Sequence, residues 1–227
     1  MIGRRLSLSL RAFRALAVGA MLAASVVAFA AAESDDSLRK AALAQLHNPN
    51  AGARVEACHV LEDVGRREDV GALQSHLIDG DEDVRAVAEA AIWAIWSRCG
   101  DKATDQLFLR GVAQMRGGDL DKALEIFTEV IAARPDFAEA WNKRATIYFL
   151  LGDDDSSLKD CDEVYKRNPQ HFGVLAGYGQ IYMRNGDLKR ALDYFERADA
   201  INPNMPGVRA SIDALRERID RRGRSFI

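Results

Sequence analysis

Gly117-Gly-Asp-Leu-Asp-Lys-Ala123, Leu151-Gly-Asp-Asp-Asp-Ser-Ser157 and Asn185-Gly-Asp-Leu-Lys-Arg-Ala191 are one pattern written three times at intervals of 34 residues. Pro135, Pro169 and Pro203 fall on the same interval. So do the bulky Leu107, Trp141 and Leu175, each followed four residues later by the small Gly111, Ala145 and Gly179. A period of this length sustained over 104–203 predicts an all-α solenoid, because each helix pair can bury its apolar face only against the next. Large side chains fill the space that small ones leave between neighbouring helices. Proline closes each unit because it has no N–H to continue a helix.

These residues resemble the tetratricopeptide repeat (TPR), with units over 104–137, 138–171 and 172–205. The departures are Gln114, where an aromatic is usual, and Ser157 with Cys161, where alanine and a large residue are usual. The resemblance implies antiparallel helix pairs wound into a right-handed superhelix whose inner face holds a peptide. That face takes the second, fifth, ninth and twelfth positions of each unit. Here these are Asp105, Phe108, Val112 and Met115, then Glu139, Asn142, Thr146 and Phe149, then Gly173, Ala176, Gln180 and Met183. Phe108, Val112, Met115, Phe149 and Met183 are expected to take apolar side chains. Asn142, Thr146 and Gln180 are expected to bond a peptide backbone, and Arg116 and Arg184 to pair with an acidic segment. Relatives that grip a C-terminal carboxylate carry Lys and Asn where this chain has Phe108 and Val112, and Lys or Arg at Ala176, so that clamp is not expected. After Pro203 a helix over 206–222 is expected to cap the array, leaving a tail at 223–227. Val208, Ile212, Leu215 and Ile219 line one side of it, with arginines near its end.

Upstream, 33–98 has its own period of about 31 residues. Asn50-Ala-Gly-Ala-Arg54-Val-Glu-Ala57 lines up with Asp81-Glu-Asp-Val-Arg85-Ala-Val-Ala88. Each unit reads as a short helix, a polar turn and a longer helix. Arg54 and Arg85 lie in the first turns of their helices, a poor site for a cation on dipole grounds, so each is expected to bond the preceding unit's acidic turn. The segment is similar to the short HEAT-like repeats of phycobilin lyases, with two units and no chromophore-handling residues. The short 98–104 junction favours a single continuous superhelix through both repeat sets.

The first 32 residues read as a secretory signal peptide. Arg4, Arg5, Arg11 and Arg14 precede an apolar run from Ala15 to Ala32, and Ala30-Ala31-Ala32 fits a peptidase site. The alternative is an N-terminal membrane anchor, since roughly 18 apolar residues approach a spanning length. Export without a disulfide framework points to a bacterial periplasm. Only Cys58, Cys99 and Cys161 are present, and Cys161 is read as a small buried hydrophobe.

The chain carries 31 Lys+Arg against 34 Asp+Glu, which gives no general attraction to nucleic acid. His47, His59, His76 and His171 are scattered, without metal-ligand spacing or a nucleophile–base order. Asp79, Asp81 and Asp83 alternate as in a calcium loop, but Val84 stands where that loop needs Gly, and they are read as a helix-capping turn. No cofactor and no enzyme activity are expected. The reading is an exported adaptor or assembly factor that holds a protein or peptide partner, with association with envelope complexes among its expected roles. A self-associating scaffold and a regulatory subunit of an envelope enzyme are the alternatives.

Overall fold

The computed structural model describes residues 34–224, and all regular structure among them is helical. The segment at 1–32, read above as a signal peptide, and the last three residues lie outside the described residues.

The C-terminal repeats form three helix pairs. These are α5 (Lys102–Arg116) with α6 (Leu120–Ala133), α7 (Ala138–Leu151) with α8 (Asp154–Arg167), and α9 (Phe172–Arg184) with α10 (Leu188–Ile201). The helix α11 (Val208–Arg224) follows. Each turn within a pair is built the same way. Gly118, Gly152 and Gly186 sit at φ of 84°, 82° and 77°, a left-handed conformation that a Cβ penalises. The next residue, Asp119, Asp153 or Asp187, accepts a hydrogen bond from the backbone N–H three residues on and so caps the second helix.

The size alternation is visible as contact. A Cβ on Gly111 would stand 2.9 Å from the Phe127 ring, and one on Gly179 would stand 2.8 Å from Phe195. The middle pair solves the same problem differently. Ala145 faces Cys161, and the buried Ser157 hydroxyl donates to the Ala145 carbonyl at 2.8 Å. Val208, Ile212 and Leu215 of α11 close the last apolar layer against α10.

The N-terminal segment holds a helix α1 over 34–45, α2 (Ala51–Val64), the short α3 (Val70–Gln74) between two 3₁₀ turns, and α4 (Glu82–Trp96). Leu46, Leu61, Leu73, Leu77 and Ile92 form its core. Asn50 and Asp81 cap α2 and α4. Arg39 is buried and makes a two-point bond to Asp69, both contacts 2.7 Å. Arg54 corrects the expected direction of repeat linkage. It grips Asp79 of the following unit's turn at 2.7 and 2.9 Å, together with the carbonyls of its own turn. Arg85 bonds only the carbonyl of Asp79, in the turn just before its own helix.

The continuous superhelix expected from the short junction does not form. Stacking carries α5 through α11, but α4 packs helix-on-helix against α2 and α3. Gly100, at φ 84°, turns the chain between them. The N-terminal segment then lies along the edge made by the loops that join one repeat to the next. There Trp96 stacks on His171 at 4.1 Å, Arg67 donates to the Asp136 carbonyl, and Asn204 donates to the Leu77 carbonyl at 2.7 Å. Phe172, the first residue of α9, belongs to the N-terminal core.

Candidate functional site, a trough along the inner helices

Helices α7 and α9 occupy equivalent places in successive units and touch along their inner sides. Residues separated by three or four positions share a helix face. That places Asn142, Thr146 and Phe149 of α7 beside Gln180, Met183 and Arg184 of α9. Two adjoining hollows result. One of about 260 Å³ lies between α7 and α9, with Ala145, Gly173 and Gly177 deep in it. The other, about 670 Å³, lies between α9 and α11 and reaches Val208 and Arg218. Phe149 and Gln180 line both, so they read as one trough.

Six of the ten residues singled out from the sequence are therefore gathered in one place. The four from the first unit are not. Phe108 is 1% exposed and fills the space between Phe127 and Phe137, at 5.5 and 4.9 Å between ring centres. It is a core residue, and its assignment to a binding face is corrected. Val112 and Met115 are half-buried against the same core, and Arg116 is exposed on α5; none of these lines the trough.

Three trough residues are already engaged, Thr146 by donating its hydroxyl to the Asn142 carbonyl at 2.9 Å. Asn142 is buried, and its amide donates to the Glu139 carboxylate at 3.1 and 3.2 Å. Arg184 lies over the Phe149 ring at 3.8 Å, donates to the Phe149 carbonyl, and pairs with Asp154. Thr146, Gln180 and Met183 are exposed.

Beneath the trough sits a buried polar knot. Nδ1 of His171 accepts from the Val174 N–H at 3.1 Å, which leaves Nε2–H to donate to Glu139 at 3.0 Å. Lys143 reaches the other Glu139 oxygen at 2.8 Å. Burial pushes this carboxyl upward, but Lys143 and His171 outweigh it and hold it at about 2. Burial likewise pushes the Cys161 thiol up to about 12, so it is an inert wall at the bottom of the hollow rather than a nucleophile. Among the described residues no group of three His, Cys, Asp or Glu side chains is placed to hold a metal ion.

Sequence reasoning missed several members of the site, Lys143, Gly177 and Arg218 among them, and above all Trp93. Trp93 stands outside the 34-residue repeats, yet its ring walls the hollow between α7 and α9. The Trp93/Trp96 spacing marks a packing ridge on α4, but no local pattern says which distant helices it meets.

A family profile described as tetratricopeptide repeat matches residues 108–171 and again 155–206. A TPR repeat-containing protein of Rhizobium etli is 35% identical over 97 residues, covering 43% of this chain and 48% of its own length. Tetratricopeptide repeat protein 36 of Danio rerio is 30% identical over 115 residues, covering 49% of this chain and 62% of its own length. The chain thus spans less than two thirds of the length of either relative. Among solved structures, the Sgt2 TPR domain of Aspergillus fumigatus is similar with a TM-score of 0.51 at 18% identity, covering 55% of this chain and 83% of that one. The first TPR domain of human RPAP3 is similar with a TM-score of 0.50 at 20% identity, covering 54% and 96%. At such identities these structures speak for the fold alone. Turn geometry and size alternation agree with the profile match in making residues 108–206 similar to tetratricopeptide repeats.

Proposed function

We propose that the protein is a non-catalytic interaction module, an adaptor or assembly factor that holds a segment of another protein in the trough between α7, α9 and α11. The signal-like segment supports export, most simply to a bacterial periplasm. The 31-residue period supports a HEAT-like reading of the N-terminal helix pairs. The carrying observation is the trough itself, which has apolar depth, an exposed polar rim at Thr146 and Gln180, and continuity through Phe149. Sites of this kind bind through a few buried anchors surrounded by polar contacts.

The test is capture of partners from a detergent-treated envelope fraction by the native chain and by a Thr146→Arg/Gln180→Arg chain. Both positions are exposed, so the variant is expected to keep its helical circular dichroism. A protein held by the native chain and lost by the variant supports the trough. Identical sets of captured proteins overturn it.

One observation favours the second reading, self-association. Leu38, Ala41, Ala53 and Val60 line an apolar hollow of about 300 Å³ on the outer side of α1 and α2, and Leu38 is 50% exposed. Light scattering over a range of concentrations tests it, and a constant monomer mass rejects it.

A further inference from the structure

The inner face of α7 and α9 has an open half and a closed half. Toward the C-terminal ends of the two helices, Thr146, Gln180 and Met183 are exposed. Toward their N-terminal ends the same face lies under α4. A Cβ on Gly173 would stand 2.6 Å from the Trp93 ring, so the absence of a side chain there is what admits the indole. Phe172 and His171 meet that ring edge-on, at 5.2 and 5.5 Å between centres, and the Lys143 ammonium lies 5.4 Å from it. One turn further along α4, Trp96 stacks on His171. Glu139, Asn142 and Gly173 hold positions that the repeat pattern gives to the peptide face. The first two are buried and the third carries the indole. A helix that lays aromatic side chains into a groove between two others is a recurring way of binding a peptide. Here the chain does this to itself.

The joint around the contact is loosely tied at its rim. Arg67 and Gln74 reach only backbone carbonyls across it, those of Asp136 and Gln170, at 3.3 Å or more. A crevice of about 220 Å³ lined by Arg67, Gln74, Arg167 and Gln170 runs into it. Residues 97–101 alone link α4 to α5, and they turn at Gly100. Phe172, seated in the N-terminal core, makes the closed arrangement the resting one.

We infer that α4 is an autoinhibitory helix, which occupies the first half of the peptide face in cis, so that a partner needing the whole face must displace Trp93. The inference rests on the trough reading above. It also states the partner's chemistry. A segment that takes the place of Trp93 has to refill a slot shaped by Gly173, Phe172 and His171, and it does so with a tryptophan or another large aromatic ring. Its binding is weakened by the small fraction of chains that are open at any moment.

The test uses a fluorescein-labelled peptide of residues 80–98, followed by anisotropy. It is added to the full native chain and to Trp93→Ala/Trp96→Ala, each checked for helical circular dichroism. The peptide is expected to bind the variant at least about tenfold more tightly, which corresponds to a native chain open no more than about one time in ten. A peptide with both tryptophans replaced by alanine should bind neither chain. Arg67→Ala/Gln74→Ala, at the rim of the joint, should shift affinity in the same direction by less, and it serves where the tryptophan pair is needed for folding. Proteins held through the trough should be held more firmly by Arg67→Ala/Gln74→Ala and released by the peptide. Peptide binding that is equal on native and variant chains, or absent from all, overturns occupancy in cis. Peptide binding as expected, with trough-dependent partners held equally and not released, leaves the trough reading standing and overturns autoinhibition. Partners that Thr146→Arg/Gln180→Arg still holds overturn the trough and the inhibition together, whatever the peptide does.

Discussion

Glycines 173 and 177 lie one helical turn apart in α9 and answer to different constraints. Alanine is a better helix former than glycine by about 1 kcal/mol. At Gly177 nothing opposes that gain, since a Cβ meets only a sulfur at 4.0 Å. At Gly173 the Cβ would collide with the Trp93 and His171 rings at 2.6 and 3.1 Å, and overpacking typically costs about 1–3 kcal/mol. Gly177→Ala is therefore expected to raise the urea midpoint and Gly173→Ala to lower it. A second prediction concerns Glu139. Its carboxyl falls from an ordinary 4.5 to about 2 on folding, so its contribution is full above pH 4.5 and is lost as pH falls toward 2. That contribution is on the order of 3 kcal/mol. Chemical denaturation at pH 7 and pH 3 should show a drop in stability that Glu139→Gln makes smaller, the remainder belonging to other carboxyls held low by their partners, Asp79 on Arg54 first among them. An unchanged drop would place the acid sensitivity elsewhere. Phe108 shows the limit of reading at this scale. Its position in the repeat says inner face, but Phe137 lies beside it and offers a dry contact, which the burial of a large ring favours.

Elements were the most legible level. The 34-residue period locates α5 through α10 because the same glycine, aspartate and proline recur at each boundary. The glycine doublet at 117–118 separates two roles that the sequence leaves merged. Gly118 is left-handed at φ 84°, whereas Gly117 has φ −73°. Gly118→Ala should cost about 1–2 kcal/mol because a Cβ clashes in that conformation. Gly117→Ala should be neutral or stabilising, since it restricts the unfolded chain at a compatible site. Thermal melts of the two variants check the difference, and equal shifts would mean that the turn has another conformation. The first helix of the second N-terminal unit was less legible. Residues 67–78 break into 3₁₀, α and 3₁₀ pieces, because Asp69 turns back to bond the Arg66 N–H and Arg39 instead of facing solvent.

The arrangement of the whole molecule was the least legible. The stacked pair of Trp96 and His171 joins positions far apart in the sequence, and no periodicity encodes such a meeting. Both surfaces nevertheless carry the signs of burial, with Trp96 6% exposed and His171 1% exposed. Trp96→Ala should cost about 3–5 kcal/mol, the usual range for deleting a buried aromatic. It should also loosen the N-terminal segment from the repeats. Limited proteolysis, read by mass spectrometry, is expected to cut faster between Ser97 and Asp101 in the variant. Equal rates would show that the remaining loop contacts hold the two parts together.

The bond from Asn204 to the Leu77 carbonyl spans 127 positions and changes how such a chain must be made. An ordinary repeat array assembles like a zip, each unit settling on the one just completed. Here the part synthesised first is completed by side chains near the far end. At about 5–20 residues per second, roughly 6–25 seconds of synthesis separates Leu77 from Asn204. Until His171 and Phe172 are made, the tryptophan ridge on α4 has no docking surface, and this newborn intermediate is the species a chaperone would find.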